Sequence, residues 1–522
     1  MSQPGPAAPK PEGVPPRDPR RARLRLRGAA GVLLLFAAWA AASLAAGSFF
    51  LPPPWVTAVD TAALLARAGT WAQILTTFLR VCAGFLVGFA AGTAAGIGMG
   101  SRPEAGALLR PLVMFFQGMP PLLWAIPLVA LMGIGHVPAV IVITLITFPL
   151  VAVTVGEGMS TLPRELGEML SVFAPGVRAR TRELVLPHLA PFFGASVNAG
   201  LVLAVKASVT AEYFGANDGI GFQIQAAYMS LRIRSLFAWA AVLILVILAF
   251  TTLLPRVRTG LARLARSRRD RAGSAPGASG SEARLQAGGA PSALRLERVS
   301  FSYRHRPVLQ EVSLEVAPGE IAVVSGDSGV GKTTLLRLAA SLARPAEGSV
   351  TAPARIGCVF QDDRLLPWRT VEENAALPLR YQGVPRTRAL GAARWLLQQA
   401  GLGGELTRKP DELSGGMKKR AALARCFARR PDAILMDEPF SGLHARARTQ
   451  LWDLFLRLHA QHPVPAIVVT HYPEEIRAAG SMRRYSLEGR PAILVARSRR
   501  GRLTPKGGRT AGPGQERTRG RP

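Results

Sequence analysis

From Ala29 to Leu254 the chain consists of apolar runs separated only by short Arg- and Pro-bearing stretches. Crossing the hydrocarbon of a bilayer takes about 20 apolar residues in a helix, and a soluble core cannot bury so many such runs in succession. From Leu294 to about Val495 short β-branched runs alternate with helical patterns, the texture of a water-soluble α/β domain. The composition carries both: 49% hydrophobic residues stand beside a formal net charge of +31. That apolar content excludes disorder throughout. Cys82, Cys358 and Cys426 lie far apart without a CxxC pair, which supports neither a disulfide scaffold nor a zinc module.

These shifts divide the chain into a basic Pro-rich tail (1–27), an all-α polytopic membrane domain (28–255), a flexible Arg/Ser/Gly/Ala linker (256–293), a phosphate-loop α/β domain (294–495) and a basic C-terminal tail (496–522). Six spans are expected, at Ala29–Phe50, Ile74–Met99, a Pro-broken segment within Leu108–Gly133, Val137–Val155, Leu189–Ala211 and Leu236–Leu254. The first is read as a retained span, although Ser43-Leu44-Ala45 also resembles a signal-peptide cleavage site. Arg20, Arg21, Arg23, Arg25 and Arg27 precede it and place the N-terminus inside. Six spans then return the chain to the cytoplasm at Arg256. The basic ends lack interleaved aromatics and any nucleic-acid motif, so no nucleic-acid partner is expected, and they suit the anionic inner leaflet instead.

Gly326-Asp-Ser-Gly-Val-Gly-Lys-Thr333 fits GxxxxGK[ST] between an apolar strand, Ile321–Ser325, and a helical pattern that opens at Thr334. Backbone amides of such a loop curl around phosphate oxygens at a helix N-terminus. Gly326, Ser328, Gly329, Gly331, Lys332, Thr333 and Thr334 are therefore the candidate nucleotide-binding residues. Lys332 would reach the terminal phosphates and Thr333 would bind Mg²⁺. About a hundred residues on, the buried run Ala433–Met436 ends in Asp437-Glu438. One carboxylate suits the metal and the other a general base for the attacking water.

Leu413-Ser414-Gly415-Gly416-Met417 resembles the signature of ATP-binding cassette (ABC) proteins, and the remaining motifs stand in the family's order around it. The resemblance implies that Tyr303 stacks on adenine and that Gln361 senses Mg²⁺ and the membrane domain. It implies that His471 contacts the terminal phosphate, and that Ser414, Gly415 and Gly416 cap the nucleotide held by a second subunit. The implied catalytic set is Glu438, His471, Gln361 and Lys332, with Thr333, Gln361 and Asp437 around the metal, and the implied cofactors are ATP and Mg²⁺. His444 and Tyr472 stand where the family usually has Asp, which puts the coupling between paired sites in doubt but not hydrolysis.

One phosphate loop and one signature cannot complete a site, so the resemblance implies a half-transporter working as a homodimer. The segment from Glu168 through Ala174 and Pro175-Gly176 to Pro187 resembles the EAA coupling loop of bacterial ABC importers, with Ala174 where Gly is usual. Leu166, Leu170 and Phe173 form its apolar face. Phe360–Asn374 and Ala211–Gly221 are similar to segments of nitrate, sulfonate and taurine importers, a group that also includes vitamin-precursor transporters. The resemblance thus implies ATP-driven import of a small solute across a bacterial cytoplasmic membrane, by a fused permease and ATPase served by a separate extracytoplasmic binding protein. The alternatives are an exporter half-transporter and a membrane-anchored ATPase driving a protein partner. Lys206, inside the fifth expected span, faces the solute path, pairs with Glu212 or snorkels; Asp60 and His136 are expected solvated in outer loops.

Overall fold

The computed structural model describes residues 19–273, 292–304, 306–471, 476 and 481–497. Most of the expected tails, much of the expected linker, and Tyr472 lie outside them. The chain forms two compact units, and the loop Pro163–Pro187 belongs with the second.

The first unit is helical: α1 (Pro19–Ala46), α2 (Pro54–Leu65), α3 (Ala68–Ser101), α4 (Pro103–Gly118), α5 (Pro121–Met132) and α6 (His136–Ser160). After α7 (Arg164–Phe173), α8 (Val177–Arg180) and a π-turn, Thr181–Val185, come α9 (Leu186–Gly215), α10 (Ile220–Met229) and α11 (Ile233–Gly273). Among the described residues four stretches are long and apolar enough to cross a membrane: Ala68–Ser101, His136–Ser160, Val177–Gly215 and Ile233–Leu253. A fifth arises if α4 and α5, bent by 90° at their junction, make one broken span. Pro120 and Pro121 account for that break, since neither can donate the amide that would continue α4. Of the six expected spans, four or five are thus seen among the described residues, and the described apolar part of the first helix, Ala30–Ala46, is short for a span. Nor does the linker begin at Arg256, for α11 stays helical to Gly273.

The core of this unit is the seam between α3 and α6. A Cβ built at Gly84, Gly88, Gly92, Gly96 or Gly100 would lie between 2.1 and 2.7 Å from an atom of α6, so every fourth residue of α3 must be glycine for the helices to approach this closely. At one end of α3, Arg80, 3% exposed, meets Glu212, which is fully buried. Arg80 donates to Glu212 Oε1 (3.1 Å), to the Asp218 carbonyl (2.9 Å) and to His136 Nδ1 (3.0 Å), and also pairs with the Asp218 carboxylate. Glu212 further accepts from Thr77, Ser208 and the Gly221 amide. Its partner is thus Arg80 and not Lys206, which is exposed on α9. Neither residue expected in an outer loop lies in one: His136 opens α6, exposed and bonded to Arg80, and Asp60 lies on α2, partly exposed and paired with Arg234 (2.8 Å).

The second unit contains β1 (Leu294–Tyr303), β2 (Arg306–Val316), β3 (Ile321–Ser325), α12 (Lys332–Ala339), β4 (Glu347–Thr351), β5 (Ile356–Val359), α13 (Val371–Tyr381), α14 (Arg386–Gln399), α15 (Gly415–Ala428), β6 (Ala433–Asp437), α16 (Ala445–Gln461), β7 (Ala466–Val469), β8 (Met482–Glu488) and β9 (Ile493–Arg497). An antiparallel sheet, β2-β1-β4, accompanies a larger sheet in the order β5-β6-β7-β3-β8-β9, parallel except for β9. β3, β6 and β7 are buried along their whole length, as their apolar runs require of central parallel strands, and β5, at the edge of this sheet, is buried as well. β7 lies between β3 and β6, so the loops leaving these three strands converge at one edge, where open α/β sheets bind ligands.

Candidate nucleotide site and coupling loop

β3 ends in a loop whose glycines are required by its course. Gly326, Gly329 and Gly331 have φ of 154°, 76° and 115°, and a Cβ at Gly326 would sit 2.8 Å from the Leu487 carbonyl. Lys332 opens α12 and is 5% exposed; its ammonium donates to the carbonyls of Gly326 (2.9 Å) and Asp327 (2.8 Å). Burial pulls its pKa below the usual lysine value, opposed by the charges of Glu438 and Asp437. Ser328, Gly329 and Thr333 are exposed on the loop, while Thr334 is buried behind it.

β6 delivers Asp437 close to Thr333. Burial raises the Asp437 pKa from the ordinary carboxylate value, opposed by the nearby Thr333 side chain. Its Oδ1 is buried with no hydrogen-bond partner. An unsatisfied carboxylate oxygen next to a hydroxyl suits a hard divalent cation. No group of three His, Cys, Asp or Glu able to hold a metal occurs among the described residues. One buried carboxylate oxygen near a threonine hydroxyl would suit Mg²⁺, which binds through few protein oxygens and completes its shell with water and phosphate. Glu438 has φ of 45°, and its amide donates to the Val469 carbonyl (3.0 Å). Its Oε1 lies 2.7 Å from His471 Nε2, and that ring nitrogen is 3.4 Å from the Lys332 ammonium. Lys332 at the start of α12, Asp437 and Glu438 at the end of β6, and His471 just beyond β7 thus form one cluster.

Other expected site residues stand apart from it. Gln361 is exposed beyond β5, and its carbonyl accepts from Lys419 Nζ (2.9 Å). Tyr303 is 44% exposed at the end of β1, edge-on to Phe301, and its hydroxyl accepts from Arg337 (3.4 Å). Ser414 is the N-cap of α15, accepting from the Met417 amide, with Gly415 and Gly416 in the first turn. No hydrogen bond among the described residues joins these three to the phosphate loop. His444 caps α16 by accepting the Ala447 amide on Nδ1 (3.3 Å), the task an Asp side chain performs at an N-cap.

The loop Pro163–Pro187 packs within this unit through α7, which buries Leu166, Met169, Leu170 and Phe173. Glu168 pairs with Arg337 of α12 and, at 3.0 Å, with Arg364. The Arg425 guanidinium lies 5.1 Å from the Phe173 ring centroid and donates to the Asp363 and Arg364 carbonyls. Complete burial lowers the Arg425 pKa to about 10, so it stays charged at neutral pH. Ala174 is buried with φ of −143°, a conformation that needs no glycine, and Gly176 makes the break at φ of 114°. Pro187 is half-buried in the first turn of α9. Sequence reasoning missed Glu183, which is fully buried and bonded to Arg369 and Tyr381; only its charge, isolated among arginines, hinted at a partner.

Residues 309–441 match the family described as ABC transporter, and residues 84–267 match the binding-protein-dependent transport system inner membrane component. An aliphatic sulfonates import ATP-binding protein of Paracoccus denitrificans is 42% identical over 185 residues, covering 35% of this chain and 74% of that protein. A taurine import ATP-binding protein of Pseudomonas entomophila is 42% identical over 192 residues, with the same coverage. Another from Chromobacterium violaceum is 43% identical over 194 residues, covering 35% of this chain and 74% of that one. The chain belongs to the ABC transporter family. It joins a binding-protein-dependent membrane component to an ATPase that couples ATP hydrolysis to transport.

Proposed function

We propose that this chain imports a small solute as a fused half-transporter, two copies forming the working unit, with a separate extracytoplasmic protein presenting the solute. The observation that carries this reading is the hold of the cassette on Glu168, clasped by Arg337 from the phosphate-loop helix and by Arg364. A loop that is covalently continuous with α6 and α9 is thereby anchored five residues from Lys332 along α12. The likeness of the ATPase to sulfonate and taurine import proteins favours a small anionic or zwitterionic solute. The Arg-rich N-terminal segment favours a cytoplasmic cassette on a bacterial cytoplasmic membrane.

In this reading Lys332 and the loop amides bind the terminal phosphates, and Tyr303 offers its exposed ring to the adenine. Glu438 takes the proton of the attacking water, and His471, bonded to Glu438, orients that carboxylate and the phosphate. Thr333 and Asp437, with Gln361 brought in from beyond β5, would hold Mg²⁺, which when bound would neutralise phosphate charge. Ser414, Gly415 and Gly416 present unblocked amides to the nucleotide of the second copy. Closure of the paired cassettes would move the Glu168 loop and open the path outward; hydrolysis would reverse it.

Glu438→Gln in lipid nanodiscs tests the assignment. Loss of the base should slow hydrolysis by about 10²–10⁴-fold while ATP binding persists. A soluble protein retained from extracytoplasmic extract only with ATP would support import, and its ligand would name the solute. Wild-type turnover in this variant would remove Glu438 from its role.

A further inference from the structure

Residues 361–364, which leave β5, belong to no helix or strand, so their carbonyls need partners from elsewhere. α15 supplies them with two buried cations. Arg425, in its last turn, donates to the carbonyls of Asp363 (2.9 Å) and Arg364 (2.6 Å). Lys419, in its second turn, donates to the carbonyl of Gln361 (2.9 Å). Of the successive cations Lys418, Lys419 and Arg420, only Lys419 is buried, at 7% exposure. Its ammonium also donates to Ser441 Oγ (3.4 Å) and lies 3.9 Å from Asp363 Oδ1. Ser441 closes the turn that begins at Glu438, its amide donating to the Glu438 carbonyl (3.1 Å). A lysine head has three donors and no acceptor, and here three oxygens from two segments surround it.

We propose that Lys419 is a positioning residue for ATP hydrolysis, its ammonium holding the main chain of Gln361 at a set distance from the turn that carries Glu438. The Gln361 side chain is exposed and swings from that held root, so the root decides how closely its amide can approach a metal-bound nucleotide. A misplacement of about 1 Å at such a distance is enough to slow chemistry severely. Arg425 already joins residues 361–364 to α15, so Lys419 is not needed to keep segment and helix together. What it adds is a shared tether for Gln361 and Ser441. Burying a long cationic side chain costs free energy unless its charge is matched and its donors are filled. The match is Asp363, whose carboxyl pKa is raised by burial against the opposing charge of Lys419. An apolar side chain of similar length would fill the same space without that cost, so the donors are what this position uses.

The proposal rests on the reading of Gln361 as a metal-side residue and Glu438 as the base, and the test separates the two. Full-length protein in lipid nanodiscs is assayed for kcat, for the KM of Mg-ATP and for the Mg²⁺ concentration at half-maximal rate. Nucleotide affinity without Mg²⁺ and the unfolding temperature are measured alongside. Lys419→Met keeps the length and removes every donor. It should lower kcat by about ten-fold and raise the Mg²⁺ requirement, with metal-free nucleotide affinity unchanged. Lys419→Gln retains an amide donor and should fall between Lys419→Met and wild type; it carries the test if the Met variant does not fold. Ser441→Ala loosens the other end of the tether and should give a smaller fall of the same kind. Gln361→Ala should lower kcat by itself, and adding Lys419→Met should cost little more, because residues that act through one another are not additive. Wild-type kcat and Mg²⁺ dependence in both Lys419 variants would overturn the proposal. Losses that multiply in the double variant would do so too, since Lys419 would then act on something other than Gln361. A drop in unfolding temperature and metal-free affinity with the Mg²⁺ requirement unmoved would make Lys419 structural only, and would equally overturn it. Wild-type kinetics in Gln361→Ala would instead remove Gln361 from the metal and overturn the reading beneath the proposal.

Discussion

Asp437 is held where its charge is unwelcome until a cation arrives. Its Oδ1 is buried and unpartnered, and burial raises its pKa. Removing the charge should help the empty fold and harm the loaded one. Asp437→Asn is expected to raise the unfolding temperature without nucleotide by a few degrees, about 1 kcal/mol, and to lose the further stabilisation given by Mg-ATP; calorimetry with and without Mg-ATP checks both. His444 sits at a helix start, where a carboxylate is the better cap. His444→Asp should stabilise by about 0.3–1 kcal/mol through the helix dipole, and His444→Ala should cost about 1 kcal/mol, both read by chemical denaturation. Burial pushes the Cys358 thiol up to about 12 and Cys426 higher still. Neither should react with a maleimide at neutral pH until the cassette unfolds, which mass spectrometry of labelled peptides checks.

Among the elements, the α3–α6 seam sets the strictest steric condition. At Gly92 a Cβ would lie 2.6 Å from the Phe148 carbonyl, whereas at Gly98 the nearest atom is Leu109 Cδ1 at 3.8 Å. Gly92→Leu should therefore separate the helices and abolish recovery of folded protein, and Gly98→Ala should be tolerated; size-exclusion profiles of the two distinguish them. The four-residue glycine period was visible in the sequence but reads as apolar filler until the partner helix is known. The phosphate loop, the carboxylate strand and the signature were legible because the local backbone dictates their residue types within a few positions. Glu183 was not, because what distinguishes it is burial beneath Trp368 and Tyr381, 185 and 198 residues away. Arg80 and Glu212, separated by 132 residues, escaped for the same reason, and with them the true surroundings of His136. Among the described residues the first expected span is the one that falls short, where a basic stretch runs into a short apolar one within a single helix.

For the whole molecule, one phosphate loop and one signature in each chain make the reading of paired cassettes testable by mixing. Lys332→Ala and Ser414→Arg chains should each be nearly inactive alone, the first lacking the phosphate contact and the second the capping amide surface. Purified together into nanodiscs they should recover part of the ATPase activity, because a mixed pair keeps one intact composite site. Activity that stays at the level of either parent would mean that each site is completed within one chain. The sequence reflects the same division: one unit is an apolar helical bundle, and the other has a sheet whose central parallel strands are buried and carries the nucleotide-site residues.

Glu438 occupies left-handed backbone space, which a side chain with a Cβ enters at a cost of roughly 1–2 kcal/mol. Glycine or asparagine would sit there more comfortably, and neither can serve as the base. Any laboratory selection for heat resistance alone should therefore drift toward substitution at this position and discard turnover first. Only a selection that also demands ATP consumption would keep the glutamate, which makes this site a gauge of whether a stabilised descendant has been chosen for endurance or for work.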